Sequence, residues 1–328
     1  MEKKHKGMVA GIGSVLMDIL IREDDFFVEK TGVQKGGMTY VAPDVIDKIL
    51  SLSSQTPVMV SGGSACNTLI GVGKLGGMAR FVGKKGQDRM GELFTEELKS
   101  HQVEPLLFTS SSPTGRVLSV ITPDAQRTMF TFLGASAEAQ PAEISEKCFA
   151  GADIVHVEGY LLFNKELIAA ALKAAKSAGA RISLDLASFT VVDQSKDFLD
   201  ELAEEYVDIL IANEDEARAF TGYADEEKAL KVLSEKSEIS VLKIGERGSL
   251  VCCGGQMFNI SALHGARIVD TTGAGDLWAS GFLYGLANGC SPAQAGELGA
   301  WCGYEVCRVM GAKIPEQGWE RIRNHFSI

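Results

Sequence analysis

The 328-residue chain has no run approaching the ~20 consecutive apolar residues that a membrane-spanning helix requires. Basic residues are outnumbered, 32 Lys and Arg against 43 Asp and Glu for a net charge of −11, so the broad cationic footprint of a nucleic-acid binder is missing. The seven cysteines (Cys66, Cys148, Cys252, Cys253, Cys290, Cys302 and Cys307) form no C-x-x-C pair and have no His at ligand spacing. An odd count in that pattern argues against a zinc site and against a disulfide framework. None of the five histidines, His156 and His264 included, has a partner constellation, which leaves them structural. Internal repeats, low-complexity segments and charged tails are also lacking. These absences predict a soluble, cytoplasmic protein that binds neither nucleic acid nor membrane.

Two look-alikes fail for want of one feature each. Lys3, Lys4 and Lys6 precede MVAGIGSVLMDILI as in a signal peptide, but Asp18 interrupts the apolar run, no small-residue cleavage site follows, and IREDDFF comes next. GIGSVL is not a complete dinucleotide-binding fingerprint, because Leu16 holds the third glycine's place.

What is present is core-forming material, 45% hydrophobic, enough for one large domain. MVAGIG reads as a first strand with Gly11 and Gly13 at its turn. From about residue 150 strands alternate with helices: DIVHVEGY and ELIAAALKAAKSAG, RISLDLAS and FLDELAEEY, DILIANE and DEARAFTG. That alternation predicts an α/β fold with a mostly parallel, right-handed sheet flanked by helices. ISVLKIGERGSLVCC follows as a hairpin. Two β-rich stretches interrupt the front, about 15–45 and 106–134, the second built of LLFTS, TGRVLSVITP and RTMFTFLG with PDAQ as a turn. They predict a small sheet inserted in two pieces into a single domain spanning 1–328.

The chemistry concentrates in DTTGAGD, residues 270–276. Trp278, Phe282, Leu283 and Leu286 recur at helical spacing after it, and Asn288-Gly289 stops the helix. The helix therefore begins near Gly273 to Gly275, where unpaired N–H groups and glycines without Cβ atoms suit an anion, most naturally a phosphate. Asp276 in the first turn is favoured as a carboxylate by the helix dipole. A phosphate cradle beside a carboxylate base suits phosphoryl transfer to an alcohol. Asp270 either orders the loop or serves a cation site.

DTTGAGD resembles the C-terminal signature of the PfkB (ribokinase-like) family of carbohydrate and nucleoside kinases. GGSACNTLIGVGKLGGMARFVGKKGQDRMG, Gly62 to Gly91, resembles the N-terminal one, in the right order about 200 residues earlier. The resemblance implies a ribokinase-like three-layer sandwich, its central sheet mostly parallel, with the small sheet as a lid over the acceptor. It implies an ATP-dependent phosphotransferase that uses Mg²⁺, leaves a monovalent cation open, and acts on a primary hydroxyl of a sugar or ribonucleoside.

Residue by residue, the resemblance makes Asp276 the base and Gly273, Ala274 and Gly275 the anion hole. Asp18, Gly62, Gly63 and Asn67 match acceptor-binding positions, in keeping with directional hydrogen bonds to diols. Asn213 and Glu216 match the N-x-x-E that organises Mg²⁺ through water and the nucleotide phosphates. They also read as a helix capping box, and the two roles are compatible. Lys243, Gly245 and Gly248 in LKIGERG match a nucleotide-contacting segment, with a glycine-turned hairpin as the plain alternative, and Thr271 joins the nucleotide set.

Asp185 sits at a strand end, where open α/β sheets place ligands, while Arg116 and Arg127 in the inserted sheet could reach substrate or phosphate, with surface arginines on a β-lid as the default expectation. Val117, Leu118, Val120, Ile121, Phe130 and Phe132 make the lid apolar, fit to cradle a nucleobase or to meet a second lid in a homodimer; a monomer is the other expectation. GIGSVLMDIL, TPDAQRTMFTFLGAS and VEGYLL resemble the adenosine-kinase-like branch, with free-sugar kinases or a non-catalytic sugar or nucleotide sensor as alternatives. The bulk of Trp301 and Tyr304 departs from the small residues expected beside an adenine.

Overall fold

The computed structural model describes residues 6–124 and 126–328; Lys3, Lys4 and the Ala125 of the expected PDAQ turn lie outside the described residues. Fourteen strands follow one another among the described residues: β1 (Met8–Ile12), β2 (Leu16–Arg22), β3 (Met38–Tyr40), β4 (Val58–Gly62), β5 (Met78–Gly86), β6 (Val103–Ser110), β7 (Thr114–Ile121), β8 (Arg127–Gly134), β9 (Ile154–Glu158), β10 (Arg181–Asp185), β11 (Ile209–Asn213), β12 (Ile239–Lys243), β13 (Ser249–Cys253) and β14 (Gln256–Ile260).

Nine of them form one sheet in the order β14-β13-β12-β11-β10-β9-β1-β5-β6. The run from β12 to β6 is parallel, β12 and β13 form the expected hairpin, and β14 pairs antiparallel with β13 at the edge. β1 and β9 are buried at every position because helices cover both faces. Alternation sorts the side chains: Val155 and Val157 of β9 face helices Lys165–Ser177 and Phe189–Tyr206, while Ile154 faces helices Ser64–Lys74 and Ala274–Ala287. Three layers result. The strand order reverses between β1 and β9, and a switch point of that kind opens a crevice at the carboxyl ends of the strands.

The small sheet has the order β3-β8-β7-β2-β4. The second stretch expected to build it begins later than 106, since Leu106 to Ser110 lie in β6, paired in parallel with β5 at the edge of the large sheet. An apolar run of this length suits either sheet, and the long-range partner decides. Conversely β4, which lies beyond residue 45, pairs with β2 and belongs to the small sheet.

Helices Asp25–Lys30 and Pro43–Leu52 cover one face of the small sheet, where Ile19, Ile21, Leu118, Val120 and Phe130 meet Phe27, Val28, Ile46 and Ile49. The apolar residues expected to greet a ligand or a second lid are therefore mostly occupied by the chain's own helices. The opposite pleat, Asp18, Val117, Met129 and Thr131, faces the large sheet across a cavity. No helix among the described residues is long and apolar enough to cross a membrane.

Candidate active site

Helix Ala274–Ala287 begins after Gly273, whose φ of 71° is left-handed, and no side chain caps it. An L side chain would be strained there. The N–H of Ala274 is spent inside the loop, donating to Thr271 C=O at 3.1 Å, so of the three expected anion-hole residues only the two glycines can offer theirs. Asp270 orders this loop. Its Oδ1 accepts from Thr272 N–H (2.9 Å) and Oγ1 (2.6 Å), and its Oδ2 accepts from Gly311 N–H (2.9 Å).

Asp276 sits where two helix N-termini meet. Ser64 Oγ donates to its Oδ1 at 2.7 Å, Asn67 Nδ2 to its Oδ2 at 2.9 Å, and Thr68 Oγ1 to its backbone carbonyl at 3.1 Å. Asn67, expected to face the acceptor, thus turns its amide nitrogen to the candidate base. Burial raises the Asp276 pKa above the usual carboxylate value, and the Asn67 and Ser64 hydrogen bonds pull against it. The net shift is upward, toward a stronger base than the helix dipole alone predicts.

Beneath the small sheet lies a cavity of about 680 Å³. Ser14, Asp18, Gly63, Ser64 and Glu158 give its lining a polar part, and Met38, Tyr40, Met129, Tyr160 and Phe163 a bulkier one. Glu158, at the carboxyl end of β9, accepts from Ser14 N–H at 2.7 Å and Ala65 N–H at 3.2 Å. Burial pushes its carboxyl up to about 7. Burial also pushes Asp18 up to about 7, opposed by the charge of Arg127 and reinforced by that of Asp276. Gly62 makes room for Asp18 itself, since a Cβ there would overlap the carboxyl group. Gly63 turns with a φ of 94°, and a Cβ on it would lie 2.7 Å from Ser14 C=O.

A second cavity, about 530 Å³, opens beside the signature helix. Its lining includes Asn213, Lys243, Gly245, Gly248, Thr271, Ala274 and Gly275, and also Leu263, Ala300, Gly303 and Tyr304. His264, read as structural, is on its wall. Trp301, too bulky to sit beside an adenine, stacks on His325 at 4.3 Å away from this space, and the small Ala300 and Gly303 face it instead.

Asn213 and Glu216 form the capping box: Asn213 N–H donates to Glu216 Oε2 at 2.8 Å, its Nδ2 to Oε1 at 2.7 Å, and Glu216 N–H to Asn213 Oδ1 at 2.9 Å. Burial first, then the Asp185 charge, pushes Glu216 up to about 7. Lys243 Nζ donates to Asp185 Oδ2 at 2.8 Å. No group of three or more His, Cys, Asp or Glu among the described residues is arranged to hold a metal ion.

Of the two lid arginines, Arg116 is engaged with Asp47 at 2.7 Å and Pro43 C=O at 3.1 Å, whereas the charge of Arg127 reaches Asp18 and Asp270. His156 donates to or accepts from Ser183 Oγ at 3.2 Å, and burial pushes its pKa down to about 4, a neutral core histidine. Sequence reasoning missed Glu158, Ser14 and Ser64. For Glu158 a signal exists, a carboxylate closing the otherwise apolar DIVHVE.

The sequence matches the family model described as pfkB family carbohydrate kinase over residues 10–318. It is 30% identical over 256 residues to the 5-dehydro-2-deoxygluconokinase of Geobacillus thermodenitrificans (strain NG80-2), covering 73% of this chain and 76% of that one. Among solved structures it is similar to an adenosine kinase from Sinorhizobium meliloti, at a TM-score of 0.89 and 32% identity, covering 98% of this chain and all of the other. It is also similar to a probable sugar kinase protein from Rhizobium etli CFN 42, at a TM-score of 0.90 and 30% identity, covering 98% and 99%.

Proposed function

The chain belongs to the pfkB family of carbohydrate kinases, and from that premise we propose that it moves the γ-phosphoryl group of ATP to the primary hydroxyl of a furanose carried by a ribonucleoside. The observation that carries this reading is the seat of Asp276. Its carboxylate is held by Ser64, which lines the cavity under the small sheet, while Ala274 and Gly275, just before it, line the other cavity. A base at that junction serves a hydroxyl from one side and a phosphoryl group from the other.

The mixed lining of the cavity under the small sheet supports the nucleoside. Asp18, Ser64 and Glu158 offer hydrogen-bonding partners to sugar hydroxyls, and Met38, Tyr40 and Met129 offer a flat apolar bed to a base. The small sheet then acts as the lid that keeps water from competing for the phosphoryl group. In the second cavity Gly245, Gly248, Thr271 and Gly275 border the phosphates, and Ala300, Gly303 and Tyr304 border the adenine.

Kinases of this family use ATP, generally with Mg²⁺, which shields phosphate charge. An ion carried mainly by phosphates and water, as Mg²⁺ prefers, would meet Asn213 on the wall of the second cavity, with the buried Glu216 behind it holding the Asn213 amide. Asp276 accepts the hydroxyl proton as the acceptor oxygen attacks. The glycine N–H groups and the helix N-terminus hold the phosphoryl oxygens in line.

A free-sugar acceptor is the second reading, favoured by Glu158, whose buried carboxyl group adds a hydrogen-bonding partner beside Asp18 and Ser64. Coupled ADP release with adenosine, inosine, ribose and fructose, compared by kcat/KM, separates the two. Adenosine well ahead of the free sugars is expected; a preference for a free hexose overturns the nucleoside. In the same assay Asp276→Asn is expected to lose ~10²–10⁴-fold in kcat with ATP binding largely intact, and near-normal turnover sinks the mechanism.

A further inference from the structure

We propose that Lys243 is the cation that neutralises the phosphoryl group in flight, and that Asp185 is the positioning residue that keeps it beside the anion loop. The assignment rests on the kinase reading and goes beyond it, since a segment that merely touches nucleotide needs neither a charge at this spot nor a buried partner for it.

Lys243 ends β12, in register with Asn213 of β11. Its side chain is almost wholly enclosed, and its ammonium lies 2.8 Å from Asp185 Oδ2. A Cβ on Gly275 would come within 3.0 Å of Lys243 Nζ, so the ammonium occupies the space that a side chain at the heart of the signature loop would fill. This gives Gly275 a second task. It bares its own N–H, and it leaves room for a cation at the same place.

Asp185 is itself fixed, accepting the Ala187 N–H at 2.9 Å. Burial opposes the charge on each partner; the nearby ammonium nevertheless holds the Asp185 carboxyl below its ordinary value, and Asp185 and Glu216 hold Lys243 above its own. The pair therefore stays charged. A buried ion pair is a weak source of stability, because desolvation consumes most of the Coulombic gain. An ammonium has three donors, and the hydrogen bond to Asp185 uses one, while the residue borders the cavity that also holds Gly275 and Thr271.

The transferring group is where such a cation acts. As the acceptor oxygen bonds to the γ-phosphorus, the bond to the β–γ bridging oxygen breaks and its electron pair leaves with ADP, while the hydroxyl proton passes to Asp276. Lys243 keeps its protons throughout. Its charge lies beside the oxygens on which negative charge is spread in the loose transition state, inside a site from which water is excluded. Asp185 touches no reacting atom and acts only through Lys243.

The test compares Lys243→Met, Lys243→Arg and Asp185→Asn with the wild-type protein. It measures kcat and acceptor KM, ADP affinity by calorimetry with Mg²⁺, and the affinity of ADP plus aluminium fluoride and acceptor, a mimic of the planar phosphoryl group. Lys243→Met is expected to lose on the order of 10²–10³-fold in kcat and a matching factor in mimic affinity, with ADP affinity and acceptor KM within a few-fold. Lys243→Arg is expected to recover part of both, and Asp185→Asn to show a smaller loss with the same split.

Equal losses of ADP and mimic affinity in Lys243→Met overturn the assignment, as does an unchanged kcat. Should that variant fail to fold, the arginine and asparagine variants carry the comparison, and wild-type mimic affinity in Asp185→Asn overturns the positioning role. A wild-type protein that binds ADP yet transfers nothing to any acceptor sinks the kinase reading itself, a different outcome from an active wild type indifferent to Lys243.

Discussion

Ser64 holds the candidate base from the acceptor side, and its hydroxyl sets how basic that carboxylate is. The hydrogen bond it gives lowers the Asp276 pKa against the upward pull of burial. Removing it leaves one side-chain donor, Asn67, so the pKa rises further. Ser64→Ala is therefore expected to move the acidic limb of the kcat–pH profile to higher pH; a general loosening of the site would lower kcat at every pH and leave the limb in place. Asp276 was readable from DTTGAGD because the anion loop and its base are neighbours in sequence. Ser64, Ser14 and Glu158 were not, since their roles come from contacts 93 to 212 residues away in the chain. Asn67 was recognised as a site residue but its amide partner was not, for the same reason.

At the scale of elements, the alternation of strands and helices after residue 150 told the parallel sheet plainly, because each strand there is bracketed by its own crossover helix. The small sheet was harder. Its β7–β8 pairing is the hairpin expected from TGRVLSVITP and RTMFTFLG, but no local pattern encodes the pairing of β2 with β4 and β7 or of β3 with β8, and LLFTS reads equally well in either sheet. Period-two sorting then decides which apolar residues are free, and helices Asp25–Lys30 and Pro43–Leu52 take most of them. We expect this face to be unavailable to a second copy, so the protein sediments as a 35.1 kDa monomer. Ile46, fully buried in that seam, supplies the test. Ile46→Asp should prise the helix from the sheet and produce concentration-dependent association in sedimentation, and a wild-type dimer would contradict the expectation.

For the molecule as a whole, the cavity under the small sheet stores electrostatic tension. Asp18 and Glu158 have ordinary carboxylate values of 3.8 and 4.5 and stand at about 7 when folded. Between those limits the folded chain binds more protons than the unfolded one, so stability falls as pH rises through about 7 and their contribution is full only below the unfolded values. Urea midpoints of the free protein are expected to drop between about pH 5 and about pH 8. In Glu158→Gln the drop should be shallower, and an unchanged slope would show that the carboxyl is not held neutral by its surroundings.

The carboxyl ends of the parallel strands carry one further consequence. Glu158, Asp185, Asn213 and Lys243 end four adjacent strands, β9 to β12, and β1 runs into Ser14 beside them. Strands in a sheet are spaced about 4.8 Å apart, so the sheet is a ruler laid across the two cavities, about 14 Å from β9 to β12. Under the proposed function, acceptor, phosphoryl group and nucleotide would be measured off along it. Such a ruler can be recalibrated locally: on the proposed function, exchanging the residue at the β9 mark is expected to change the acceptor and to leave the marks at β11 and β12 where they are.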